Sequence, residues 1–327
     1  MARLFAALML SLTVFLGVTT AHAAENLDDW LRDLRADARA EGVSEATLDA
    51  ALTGVALVPR VIELDRKQPE FTLTFAQYLD RVVPVSRQKR AQARYQTHRA
   101  LLEEIGAKYG VQPRFIVALW GIETDFGRVL GGFDVIPALV SLAYDGRRSA
   151  FFRKELMHAL KIIDEGHITV DAMKGSWAGA MGQSQFMPSS FRRFAEDYDG
   201  DGRRDIWGTQ ADVFASAANY LKRSGWRDDI TWGREVRLPA SGEASPANAM
   251  ALHDSKTWKP LPQWAALGVL KNDGSALPSR AIRARLVLPD GADGRSYLVY
   301  DNYEAILKWN RSNYFAIAVG TLSDTMR

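Results

Sequence analysis

The chain has 327 residues, with 41 Lys and Arg against 39 Asp and Glu, a formal net charge of +2 and no cysteine. That balance lacks the clustered basic excess of nucleic-acid binding. Without cysteine there is no disulfide, no thiol nucleophile and no lipid-bearing N-terminal cysteine.

In chain order, Arg3 is followed by an almost wholly apolar run over 4–18 and by Ala21-His22-Ala23, a small-x-small cleavage site. This is the pattern of a secretory signal peptide over 1–23, with the mature chain beginning at Ala24. The run is short for a membrane span, and no later stretch reaches roughly 20 apolar residues. The expected product is soluble and exported to a bacterial periplasm, with neither lipid nor membrane anchor. Its length can bury a substantial core, as one large domain or two unequal ones.

Residues 24–232 carry a helical pattern, with apolar residues at helical spacing over 27–40, 86–109, 115–124, 149–165 and 211–224. Ser44 is placed to cap a short helix through Glu45 and Leu48. Arg87, Lys89, Arg90, Arg94, Arg99, Glu103 and Glu104 make the stretch over 86–108 read as a solvated helix face.

Within 115–124 a single carboxylate stands out. Helical spacing sets Glu123 beside Ile116, Leu119, Trp120 and Phe126, on an otherwise apolar face. A carboxylate buried there keeps its proton to higher pH, as a general acid requires. A Glu at the helix edge, facing water and paired with Arg128, satisfies the same spacing.

Three glycines, two alanines and a proline crowd the segment from Gly175 to Pro188. So many small residues suit a cleft lining or a tight helix crossing with Gly179 and Gly182 at the contact, rather than an ordinary amphipathic helix. Ser176, Gln183 and Gln185 offer neutral hydrogen-bonding groups there. Next come Asp197, Asp199, Asp201 and Asp205, acidic at positions 1, 3, 5 and 9 of an EF-hand-like loop, with Gly202 at 6 and the Arg203 carbonyl at 7. Gly208 replaces the usual Glu at position 12, and Asp212 is placed to close a longer loop. A structural Ca2+ is expected there, with no cofactor for catalysis.

Residues 233–300 change character. Short alternating segments at 235–238, 283–288 and 296–300, punctuated by Pro and Gly, read as a small β-rich subdomain. Residues 301–327 revert to helical spacing and return to the main body. Metal hydrolysis finds no support, because His98, His158, His167 and His253 show no HExxH spacing, and no GxSxG elbow occurs. A carboxylate mechanism is the enzymatic option that remains. Nine Trp and ten Tyr add side chains suited to sugar-ring faces as well as to cores.

Together these segments resemble the lytic murein transglycosylases of the membrane-bound lytic transglycosylase B family, glycoside hydrolase family 103, over nearly the whole mature chain. The resemblance is carried by Gly121-Ile122-Glu123-Thr124-Asp125-Phe126-Gly127, Tyr144-Asp145-Gly146-Arg147-Arg148-Ser149 and Ala178-Gly179-Ala180-Met181-Gly182 running into Gln185-Phe186-Met187-Pro188-Ser189-Ser190. The acidic loop, Ala218-Asn219-Tyr220-Leu221 and Trp309-Asn310-Arg311-Ser312-Asn313-Tyr314 follow in the family's order.

The resemblance implies a mainly α, lysozyme-like core that cleaves peptidoglycan between N-acetylmuramic acid and N-acetylglucosamine without water. Glu123 would be acid and then base, and the muramyl 6-hydroxyl the nucleophile. Ordinary glycosidases need two carboxylates; here Asp125, two residues along the helix and so about 200° away, is not expected to take part. The resemblance also places Ser176 and Gln185 near Glu123, has Tyr220 and Asn310 contact sugar or orient groups in the cleft, makes Tyr78 a weaker match for substrate binding, and assigns Arg147 and Arg148 to the glycan or its peptide stems. Trp309 stands where Tyr is common, a change expected to alter sugar stacking and leave Glu123 unaffected. The expected state is a monomer acting on glycan strands, with other cell-wall enzymes as candidate partners. A hydrolytic muramidase of the same fold and a silent glycan-binding protein are the alternatives.

Overall fold

The computed structural model describes residues 26–67 and 73–326, so the signal-peptide reading lies outside the described residues. The first helices are α1 (Leu27–Ala40), α2 (Glu45–Leu52) and α3 (Pro59–Arg66). Ser44 caps α2 as expected, accepting from the Thr47 amide at 3.3 Å. It also donates to Asp164 at 2.5 Å, tying this arm to the main body.

Then follow α4 (Phe75–Val82), α5 (Val85–Thr97), α6 (Arg99–Tyr109) and α7 (Pro113–Thr124). The charged stretch read as one helix is therefore two, parted at His98, whose φ of −107° leaves the helical region. It is not wholly solvated either, because Arg87 and Arg90 turn inward.

The central part comprises β1 (Phe133–Asp134), α8 (Val135–Tyr144), α9 (Ser149–Asp164), β2 (Lys174–Gly175), α10 (Pro188–Phe194) and α11 (Gln210–Arg223). It leads into β3 (Gly233–Arg237), α12 (Pro246–Asp254), β4 (Lys259–Pro260), α13 (Leu261–Ala266), β5 (Leu270–Lys271), β6 (Arg283–Val287) and β7 (Ser296–Val299). These five strands form an antiparallel sheet of order β4-β6-β7-β3-β5. Alternation in the sequence revealed the three longer strands, whereas α12 and α13 were unread. The chain closes with α14 (Asp301–Trp309) and α15 (Asn313–Asp324), and no helix among the described residues is long and apolar enough to cross a membrane.

Three apolar clusters hold this arrangement. One surrounds α7, α11 and α15, a second joins the N-terminal arm to α8, α9 and α10, and the third lies between the sheet, α12 and α13. Trp309 packs against both the first and the second. The seam between those two cores is where the chemistry-bearing side chains meet.

Candidate active site

Pro113 starts α7, and an almost unbroken apolar run carries it through the core, with Phe115 through Trp120 all buried. The helix stops at Thr124, because Asp125, Phe126 and Gly127 all take positive φ, at 50°, 63° and 79°. Asp and Gly adopt this region readily, whereas Phe126 does so at a cost. Hydrogen bonds from the Asp125 amide to Gly121 O and from the Phe126 amide to Trp120 O hold the reversal. The Phe126 ring then folds back over Gly121, where an added Cβ would lie 2.7 Å from ring carbons. Phe126 thus reaches the apolar face by reversing out of the helix rather than by continuing it.

This geometry leaves Glu123 in the last helical turn, half-buried, with its carboxylate enclosed. Burial pushes its carboxyl up from 4.5 to about 7, against the hydrogen bond that Trp309 Nε1 donates to Oε1 at 2.8 Å. An indole N–H can only donate. It therefore fixes Oε1 and favours the charged form, leaving Oε2 to hold the proton. Trp309 is the only hydrogen-bond partner of Glu123 among the described residues. The expectation that Trp309 leaves Glu123 unaffected is corrected: the two side chains are directly bonded. Its indole was missed because contact across 186 residues leaves no local pattern.

Asp125 has a different environment. It receives Arg90 at 2.8 Å, Arg128 at 3.1 Å and Arg87 at 3.4 Å. Burial pushes its carboxyl up, but the hydrogen bonds and charges of Arg90 and Arg87 outweigh this and hold it below the usual carboxylate range. Arg128 thus pairs with Asp125 and not with Glu123, which removes the water-facing, paired reading of Glu123.

The small-residue segment is a folded loop and not a helix crossing. Met181 bridges both Gly175 and Phe186, and Gly179, Gly182 and Gln185 take positive φ. The close approach inferred from its glycines is real, since a Cβ on Gly182 would lie 2.6 Å from Ile206 O. Its polar groups turn inward. Ser176 Oγ accepts from the Ala180 amide at 3.1 Å, and Gln185 Nε2 donates to Leu130 O and Gly182 O. Gln183 joins α7 to the acidic loop, accepting from Trp120 Nε1 at 2.7 Å and donating to Trp207 O at 2.8 Å.

Around Trp309 stands an aromatic wall. Tyr220 lies 4.7 Å from it, ring centre to ring centre, Phe186 5.1 Å from it and Phe194 4.3 Å from Tyr220. The Tyr220 hydroxyl is spent on Lys308 O at 2.6 Å, so this residue supports Trp309 and pins α11 to the end of α14. Asn310 is exposed, its Oδ1 accepting from the Ser312 amide at 3.1 Å. Tyr78 packs against Tyr314 with the rings tilted and their centres 5.4 Å apart; burial first, and then the charge of Glu123, push its hydroxyl pKa up. Tyr78 therefore lies within electrostatic reach of Glu123. Arg147 and Arg148 are not free cations: both hold Asp65, which is 1% exposed, and so lock α3 against the loop before α9.

In the acidic loop, carboxylate oxygens of Asp197, Asp199 and Asp212 lie within 4.8 Å of one another. Calcium binds oxygen at about 2.3–2.6 Å, so ligands across the ion stand about 5 Å apart and these three fit it. Two expected carboxylate ligands, Asp201 and Asp205, fall outside this group. Asp201 pairs with the Arg203 guanidinium at 3.1 Å, and Asp205 accepts from the Trp207 and Gly208 amides and the Thr209 hydroxyl. Arg203 thus meets Asp201 through its side chain rather than serving only as a backbone ligand. Asp212 lies fully buried, accepting from the Tyr198 and Asp205 amides at 2.7 Å each.

A mainly helical body with a small antiparallel sheet is the lysozyme-like fold of the lytic transglycosylases. The family described as the transglycosylase SLT domain matches residues 26–324, and the chain belongs to that family. It is 34% identical over 220 residues to membrane-bound lytic murein transglycosylase B of Escherichia coli (strain K12). That alignment takes in 67% of this chain and 58% of the relative, so the chain spans less than two thirds of that protein's length. Among solved structures, SltB3 of Pseudomonas aeruginosa in complex with NAG-anhNAM-pentapeptide is 43% identical, with a TM-score of 0.88 over 92% of this chain and 80% of that one. The Escherichia coli lytic transglycosylase Slt35 in complex with calcium is 26% identical, with a TM-score of 0.75 over 90% and 92%.

Proposed function

We propose that the chain is a peptidoglycan lytic transglycosylase in which Glu123 alone carries the proton transfers. The observation that supports this most is the contrast at the end of α7: Glu123 is raised to about 7 with a single neutral donor, while Asp125, just past the helix, is held charged by three arginines. Glu123 protonates the glycosidic oxygen between N-acetylmuramic acid and N-acetylglucosamine as the bond from C1 breaks. The resulting carboxylate then takes the proton of the muramyl 6-hydroxyl as that oxygen bonds to C1. The product is a 1,6-anhydromuramyl end, and no water is consumed. Trp309 accommodates both halves by holding Oε1 while Oε2 exchanges the proton.

In the same reading the aromatic wall and Tyr78 border the sugar path, and Asn310 meets sugar from the exposed rim. Ser176 and Gln185 shape the loop beside it. Arg147 and Arg148 use the exposed parts of their guanidinium groups for peptide stems while Asp65 orients them. Asp197, Asp199 and Asp212 hold a structural Ca2+, outside the catalytic step. The protein works as an exported periplasmic monomer, with residues 1–23 as signal, 24–232 as catalytic body, 233–300 as β-rich subdomain and 301–327 returning to the body.

Digestion of purified wall and mass spectrometry of the products tests the reaction. Anhydromuramyl products lighter by one water are expected; reducing ends alone would make the protein a hydrolase.

A further inference from the structure

A cavity of about 560 Å³ opens between the sheet and the C-terminal helices, within the range of about 300–1,000 Å³ typical of small-ligand sites. Glu304 and Leu307 line it from one face of α14, and Arg311 lines it from the loop that follows the helix. Trp309 is two residues from Leu307 and so projects from another side of α14, towards Glu123. The lining carries four cations, Lys256, Arg283, Arg285 and Arg311, against two carboxylates, Asp254 and Glu304. Arg283 is neutralised by Asp301 at 2.5 Å and Arg285 by Glu304 at 2.8 Å. Lys256, Arg311 and the Asp254 carboxylate have no ion-pair partner among the described residues, which leaves one cation in excess. Lys256 is also held at a φ of 49°, a conformation costly for lysine. Beside it the Trp258 ring, with the Arg283 guanidinium 4.7 Å from its centre, adds apolar surface together with Leu307.

Two unpaired cations flanking an aromatic and aliphatic wall suit a carboxylate that follows an apolar side chain. We infer that this cavity binds the free carboxylate end of a peptide stem carried by the wall glycan, an inference that rests on the reading of the protein as a peptidoglycan enzyme. The two sites are close enough for one substrate. Trp309 and Arg311 are two residues apart, hence at most about 7 Å between Cα atoms. A glycan at Glu123 and a stem reaching the cavity would lie on either side of the loop at Asn310.

The test is titration calorimetry of the full mature protein with a synthetic stem pentapeptide ending in a free carboxylate. Acetate, the same peptide ending in a carboxamide, and the Lys256→Asn/Arg311→Gln double variant serve as comparisons. Asn keeps the left-handed backbone tolerable, and a circular dichroism spectrum matching the parent shows that the variant is folded. The expected result is saturable binding of the free-acid peptide, at least tenfold weaker both for the carboxamide and for the double variant. No binding at millimolar peptide, equal binding of the carboxamide, an unaffected double variant, or acetate binding as tightly as the peptide would each overturn the assignment. Turnover is not read, so a protein that binds the peptide but forms no anhydro ends would refute only the catalytic proposal.

Discussion

Two carboxylates of this molecule are withdrawn from water in opposite styles. Glu123 sits at the end of an apolar helix with one indole N–H for company, whereas Asp212, in the first turn of α11, receives backbone amides of the acidic loop on both of its oxygens. Burial raises both pKa values, but at Asp212 the amides of Tyr198 and Asp205 pull back towards the charged form, and Asp197 and Asp199 stand alongside. A carboxyl with little compensation is suited to carry a proton. A carboxylate embedded in donors beside two others is suited to keep its charge and meet a cation. The difference lies in what surrounds the group rather than in the depth at which it is buried.

The sharpest way to break this comparison is Glu123→Gln, which keeps the shape and the indole contact but removes the acid. Release of anhydro products should fall by about 10^2 to 10^4, the usual range for general acid–base catalysis. Unchanged wall lysis would leave Glu123 an ordinary buried residue.

The same variant reports on the burial itself. A carboxyl raised from 4.5 to about 7 holds its proton in the folded state while the unfolded chain releases it, so stability falls as pH rises between those values and levels off above. The full cost is about 3 kcal/mol. Denaturant unfolding should therefore show Glu123→Gln gaining stability over the parent at pH 8 and nearly none at pH 4.

For the acidic loop, adding Ca2+ to chelated protein should raise the melting temperature, by the equivalent of about 2.7 kcal/mol at a hundredfold excess over Kd. Asp212→Asn should abolish the rise while the rate of turnover changes little. A flat melting curve at millimolar Ca2+ would end the cation reading.

Asp125→Asn tests the neighbouring carboxylate. It keeps the left-handed turn but strips charge from a site facing three arginines, so a loss of about 2 kcal/mol in stability is expected, with turnover reduced far less than in Glu123→Gln. The smallest effect is assigned to Trp309→Phe. Removing the donor disfavours the charged form of Glu123, so the high-pH limb of activity, set near 7, should move to higher pH. Movement to lower pH would contradict the assigned role of the indole.

Much of this was legible in local pattern. The helix over 27–40, the Ser44 cap and the strands near 235, 283 and 296 follow from spacing, capping chemistry and alternation. Glu123 was legible as a charge on an apolar stretch, and the close approach of the small-residue loop followed from its glycines. What stayed hidden has a common cause. Arg87 and Arg90 read as solvated because nothing in 86–108 announces Asp125, and the hold of Arg147 and Arg148 on Asp65 was invisible because Asp65 lies about 80 residues away. Of the acidic-loop ligands, spacing could not tell which carboxylates would converge, because Asp212 reaches Asp197 and Asp199 from α11 rather than from the loop itself.

By itself the sequence determined a mainly α chain with a late β-rich insertion and marked Glu123 as a charge on an apolar stretch, because periodicity, capping and turn chemistry act over a few residues. Only the tertiary structure decided what each charge would meet: an indole on Glu123, three arginines on Asp125, backbone amides on Asp212. Burial and pairing join residues far apart in the chain, and it is those contacts that set which carboxyl keeps its proton.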